Sequence, residues 1–348
     1  MITNAFIKIW DNTVGAISWD PQRGVAYFEY EPSFLNNQLD LSPIKMSTNN
    51  ARGRIFSFPE LIRNNTFKGL PGLLADVLPD KYGHELINVW LNKNGRPADS
   101  MNPVELLCFI GKRGMGALEF EPVISGAFDK STKIEVSQLI DIAQAILSKK
   151  QQFKVKLSNE DAKALSDILK IGTSAGGARA KAVIAFNQKT GEVKSGQADV
   201  SKGFEHWLIK FDGVTDAEIG VSKGYGRVEM AYHLMAKQAG IQMMECRLLE
   251  ENGRAHFMTK RFDREKDNQK LHVQSFCALN HFDFNDISSF SYEQLFQTMR
   301  RLRLPYPEAE QLFSIAAEEE EEYNKDNNIY KFVNQLEIIG SEKRIPDG

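Results

Sequence analysis

The chain has 348 residues, 42% of them hydrophobic and 26% charged, which is the make-up of an ordinary globular protein large enough for two domains and excludes a disordered or collagenous one. With 43 Lys+Arg against 46 Asp+Glu the net charge is −3, so no global basic field argues for direct nucleic-acid binding. Cys108, Cys246 and Cys277 lie far apart without a CxxC pair, which suits a reducing compartment and offers no zinc site; the opening residues lack a basic, apolar-cored leader, and no run approaches the ~18 apolar residues of a membrane span. The expectation is a cytoplasmic protein with no membrane contact.

In chain order, alternation first puts Ile7 and Ile9 on one strand face and Phe6, Lys8 and Trp10 on the other. Val14 and Ala16, then Val25 and Tyr27, follow after breakers at Asp11-Asn12 and Asp20-Pro21, which predicts an antiparallel meander. From Phe58 onward the spacing becomes helical, through Leu70, Leu73, Leu74, Val77 and Leu78 and then Leu86, Ile87, Trp90 and Leu91. Asn102-Pro103-Val104-Glu105 opens another short helix, since Asn caps well and Pro is tolerated in a first turn. The glycine-rich turn Gly111-Lys-Arg-Gly114-Met-Gly116 leads to a strand at 117–120. Residues 1–125 therefore read as a small α+β domain, and the polar bridge from Ser125 to Thr132 marks the boundary with a second domain, 126–348.

In that second part Leu139, Ile142, Ala143, Ile146 and Leu147 line one face of a helix, and a further helix is predicted from Ser158 to Gly172. Strand-like runs at 182–186 and 206–211 are separated by a turn-rich segment. A helix at 227–239 stops on Gly240, and two strands around 246–249 and 256–260 flank Glu251-Asn252-Gly253, a good hairpin signal. Glycine-rich turn, strand, lysine-bearing strand, helix, strand, strand is the order of a kinase-like nucleotide-binding lobe.

The segment from Gly172 to Lys181, Gly-Thr-Ser-Ala-Gly-Gly-Ala-Arg-Ala-Lys, carries three glycines and two hydroxyls just before an apolar strand. Small residues let backbone N–H groups approach phosphate oxygens while Arg179 or Lys181 supplies positive charge, although a plain hairpin turn has the same composition and neither GxxxxGK[ST] nor GxGxxG is present. Lys210 closes the apolar run Trp207-Leu-Ile-Lys, on the same face as Leu208, and needs water or an anion; it reads as a phosphate ligand or as a snorkelling edge-strand lysine. Glu229 on the following helix is placed to pair with it, as strand lysine and helix glutamate do in protein kinases. Phe257-Met-Thr-Lys-Arg-Phe-Asp-Arg264 is a strand running into a charged turn, either a hinge between lobes or a surface ion-pair cluster of Arg261, Asp263 and Arg264. The six histidines show no metal-ligand spacing, and no GxSxG elbow exists.

Together these motifs resemble the HipA family, the serine/threonine kinase toxins of type II toxin–antitoxin modules. The stretch from Phe67 to Gly83 is similar to the family's FxGLPGLLADSLPDxFG, and 110–120 to its IGxxxxGALxF strand. Thr173-Ser174-Ala175-Gly176-Gly177-Ala178-Arg179 with Lys181 resembles its phosphate loop, Lys210 its ATP-contacting lysine, Glu229 its helix glutamate, and the segment with Thr259 and Arg261 through Arg264 its hinge. The resemblance implies an α+β fold, a small N-terminal α+β domain followed by a kinase-like two-lobed domain, here with an apparently truncated C-lobe. It also implies ATP and Mg2+ as cofactors, regulatory phosphorylation at Ser174, a HipB-like helix-turn-helix antitoxin as partner, DNA met only indirectly through that antitoxin, and a protein substrate such as an aminoacyl-tRNA synthetase. The family's catalytic loop DxHxKN is not recognisable in the sequence; Asp326 falls nearest the catalytic aspartate and Asp347 nearest the metal-binding one. The alternative is a catalytically impaired relative that keeps antitoxin or partner binding.

Overall fold

The computed structural model describes residues 1–124, 131–148, 168, 169, 172, 180–196, 199–216, 220, 221, 224–323 and 337–339. Strands β1 (Asn4–Ile9), β2 (Asn12–Asp20), β3 (Val25–Tyr30), β4 (Ile55–Phe56) and β5 (Leu118–Glu121) form an antiparallel sheet in the order β4-β3-β2-β1-β5. The period-2 pattern holds: Ile7 and Ile9 are buried and Phe6 is exposed. Over the buried face lie α1 (Gly72–Ala75) and α3 (Pro103–Ile110), while α2 (Lys81–Lys93), between them in the chain, turns its buried residues to a second core. The helical spacing of 70–78 yields only the single turn α1, because Pro79 disfavours a helical conformation at Leu78. Asp80 then restarts the chain as α2 by accepting a hydrogen bond from the Gly83 N–H at 2.7 Å, and Asn102 caps α3 through the Glu105 N–H at 2.9 Å.

Helix α4 (Val136–Ser148) precedes a second antiparallel sheet built from β6 (Lys181–Phe186), β7 (Val193–Ser195), β8 (Glu205–Lys210), and, beyond the short hairpin β9 (Thr215–Asp216) and β10 (Gly220–Val221) and helix α5 (Tyr225–Gln238), β11 (Cys246–Glu251) and β12 (Arg254–Lys260). Its order is β7-β6-β8-β12-β11, with the lysine strand β8 central rather than at an edge. Asn252 and Gly253 both take positive φ, 46° and 76°, in the two-residue turn joining β11 to β12. One face of this sheet, with Ala182, Ile184, Trp207, Ile209 and Met258, shares a hydrophobic core with Leu86 and Ile87 of α2, Phe109 of α3 and Leu139 of α4. That core joins residues on both sides of the polar bridge.

After β12 the chain runs through β13 (Val273–Ser275), α6 (Phe276–Asn280), α7 (Tyr292–Leu302) and α8 (Tyr306–Tyr323), and β13 pairs with β14 (Glu337–Ile339). The N-terminal motif grips this segment. Asp76 accepts hydrogen bonds from the Ser275 N–H at 2.6 Å and hydroxyl at 2.7 Å, and the Gly72 N–H donates to His281 Nε2 at 3.1 Å. Burial drives the His281 imidazole down to about 4, so it stays neutral and able to accept. Gly72 is obligatory here, since a Cβ at this position would lie 2.0 Å from the Ala278 carbonyl oxygen. Among the described residues, no helix is long and apolar enough to cross a membrane.

Candidate functional site

Strand register assembles the site. Lys181 on β6 is the direct cross-strand partner of Lys210 on β8, which in turn faces Phe257 on β12. Directly opposed residues of an antiparallel pair project to the same face, so both lysines leave the sheet on the side away from the shared core. The neighbouring row on that face is Val183, Leu208, Thr259 and Cys246. Lysines therefore stand beside a mostly apolar strip. The snorkelling edge-lysine alternative fails, because β8 is central and Lys210 is engaged by a carboxylate.

That carboxylate is Glu229 of α5, whose Oε2 lies 2.6 Å from Lys210 Nζ. The helix reaches this position because of Gly226: a Cβ there would sit 1.9 Å from the Ala255 carbonyl oxygen, so only glycine lets α5 lie directly on β12. Asp212 fixes the start of the helix by accepting from the Gly224 N–H at 2.8 Å. Lys210 Nζ also lies 5.8 Å from the centre of the Phe257 ring.

Lys181 is 2% exposed and pairs at 2.7 Å with Asp80, the capping residue of α2. Burial lowers its ammonium to about 8, with Asp80 opposing that loss of charge and the neighbouring Lys210 adding to it. Burial likewise raises the Asp80 carboxyl, against the pull of Lys181. Sequence reasoning marked Lys181 and missed Asp80. The Asp-Lys-Tyr-Gly capping pattern was visible, but nothing local ties it to a lysine so far along the chain.

The charged turn after β12 is not a surface cluster, which corrects that reading. Arg261, Asp263 and Arg264 are 3%, 0% and 9% exposed. Asp263 accepts from Arg261 at 2.7 and 2.5 Å and from Arg264 at 2.6 Å, and also from the Gly116 N–H at 2.7 Å. Arg264 donates to the Gly114 and Gly116 carbonyls, each at 3.0 Å. The glycine-rich turn of the N-terminal sheet is thus bolted to the segment that follows the lysine sheet. Although burial works to raise the Asp263 carboxyl, the two guanidinium groups outweigh it and hold it at about 2. The Arg261 side chain is committed to Asp263, while Thr259 lies half-buried on the lysine face.

Thr173, Ser174, Ala175, Gly176, Gly177, Ala178 and Arg179 lie outside the described residues, as do Asp326 and Asp347. Among the described residues, no group of three or more His, Cys, Asp or Glu side chains is arranged to hold a metal ion, so no Mg2+ ligand is assigned. Cys108 and Cys277 are buried thiols raised to about 12 by burial, which leaves them inert.

The second sheet is thus antiparallel, with a lysine–glutamate pair between its central strand and a packed helix. Family models match in the same places: the HipA N-terminal domain over residues 5–121 and the HipA-like C-terminal domain over 173–326. The chain belongs to the HipA family. A solved structure of HipA from Shewanella oneidensis MR-1, in a complex of a toxin–antitoxin system with HipB and its operator DNA, is similar with a TM-score of 0.57 at 16% identity, covering 88% of this chain and 67% of that one. Comparison with curated proteins gives no significant match.

Proposed function

We propose that the lysine face of the second sheet binds the phosphates of ATP, and that the chain is a HipA-type serine/threonine kinase toxin directing the γ-phosphoryl group to a protein hydroxyl. The observation that carries this reading is the register of Lys181 against Lys210, each held by its own carboxylate, at the strand end that leads out of the segment 173–179. Lys210, oriented by Glu229, supplies a fixed positive charge for the phosphates, and half-buried Leu208 on the same face offers apolar surface for a flat base. The glycine-rich sequence of 173–179, outside the described residues, suits backbone N–H donation to phosphate. Phosphorylation of Ser174 in that segment would add roughly −1.5 to −2 charges and oppose nucleotide binding.

By family membership the protein partner is a HipB-like helix-turn-helix antitoxin, with DNA met only through it, in keeping with a net charge of −3. The substrate class is a component of translation such as an aminoacyl-tRNA synthetase. A second reading has its own observation: DxHxKN is not recognisable in the sequence, so transfer by this chain is slow even where nucleotide binds. Radiolabelled ATP decides between them, with Lys210→Ala as the control. Labelling that disappears in Lys210→Ala supports the kinase; nucleotide binding without labelling supports the second reading; neither binding nor labelling refutes both.

A further inference from the structure

Two ammonium groups side by side on one sheet face repel each other, and burial makes the loss of a proton by one of them the cheapest relief. Among the described residues, the charged groups acting on Lys181 are Asp80 from α2, Lys210 from β8 and Glu229 from α5. Glu229 is paired with Lys210 at 2.6 Å, and Asp80 is paired with Lys181 at 2.7 Å. Asp80 is itself held in place: it is bonded to the Gly83 N–H, and α2 is anchored in the shared core by Leu86 and Ile87. It belongs to the N-terminal part of the chain, whereas both lysines and Glu229 belong to the second sheet and its helix.

We propose that Asp80 is a positioning residue of the nucleotide site, which keeps Lys181 charged and aimed beside Lys210 so that the N-terminal part of the chain sets the phosphate-binding charge. This rests on the nucleotide reading above. The ligand is the polyphosphate of a nucleoside triphosphate, and Asp80 acts on it only through Lys181. A protonated Lys181 is needed, so affinity is full below about pH 8 and falls as the pH rises through that value. Without Asp80 the same fall begins at lower pH.

The test is the pH dependence of Mg-ATP affinity between about pH 6 and 9, by calorimetry, for the wild type, Asp80→Asn, Lys181→Met and the double variant. Asn preserves the helix cap, and Asp80→Ser, also a good cap, replaces it if that variant does not fold. In Asp80→Asn the fall in affinity should move down by about one pH unit or more, as expected for loss of an adjacent opposite charge. Lys181→Met should lack the fall, and adding Asp80→Asn to it should change nothing further. Superimposable profiles for wild type and Asp80→Asn, or equal weakening by Asp80→Asn with and without Lys181, would overturn the proposal. A parallel titration follows the Lys181 13Cε resonance in nucleotide-free protein, assigned through Lys181→Met. If the wild type binds no nucleotide at any pH, the functional reading fails, and the Asp80 assignment is decided by this titration: a lower midpoint in Asp80→Asn supports it and an unchanged one refutes it.

Discussion

Asp263→Asn removes the anion that lies between Arg261 and Arg264 while keeping the shape of the side chain. The wild-type carboxylate accepts from both guanidinium groups at 2.5 to 2.7 Å and from the Gly116 N–H, at a position with 0% exposure. Removing one partner from a buried ionic cluster typically costs about 3–5 kcal/mol, because the remaining charges stay buried and, here, repel each other. For a cooperative unit of 348 residues that is a loss of about 4–7 °C in melting temperature. The acid limb gives a second signature. The Asp263 carboxyl is held at about 2 against an ordinary 3.8, so its contribution is complete above about 3.8 and is lost as the pH falls from there towards 2. Urea denaturation at pH 7 and at stepped acid pH measures both, and the gap between wild type and variant should narrow by about 2 kcal/mol as the pH drops through that window. Glu250→Gln, in the exposed pair with Arg227, serves as a control expected to change stability by less than about 0.5 kcal/mol. An Asp263→Asn effect no larger than this control would refute the claim that the cluster bolts the two sheets together.

Gly226→Ala should lift α5 from β12, since its Cβ would start 1.9 Å from the Ala255 carbonyl oxygen; stability should drop by about 1–3 kcal/mol in urea titrations, and nucleotide affinity should fall with it as Glu229 leaves Lys210. Gly72→Ala should open the contact between α1 and α6, with a loss of at least about 2 kcal/mol and increased exchange of the Ser275 amide in hydrogen-exchange measurements.

The meander was legible because Ile7 and Ile9 alternate with exposed residues, and Asn102 and Asn252-Gly253 announce a cap and a turn through local chemistry alone. The lysine face was legible as far as Lys210 and Glu229, whose strand and helix each carry a local pattern. What escaped depends on contacts between distant parts of the chain. Arg-Phe-Asp-Arg has the composition of a solvated turn, and only its docking onto Gly114 and Gly116 makes it a buried cluster. The same holds for Asp80, readable as a cap yet not as the partner of Lys181. Leu70 to Leu78 fitted a helix by spacing, and a proline in the following position overrode the pattern.

The central claim is that Lys210 and Lys181 hold the phosphates of ATP on one sheet face. Calorimetric titration of the whole chain with Mg-ATP at pH 7, for the wild type and Lys210→Ala, tests it most directly. Lys210 is about a quarter exposed and paired with Glu229, so melting curves of both proteins accompany the titration to separate folding from binding. The expected result is saturable binding by the wild type that weakens at least tenfold in Lys210→Ala, the loss of about 1.4 kcal/mol or more that removal of one charge-assisted phosphate contact produces. Equal affinity in the two proteins, or no heat of binding in the wild type, would contradict it.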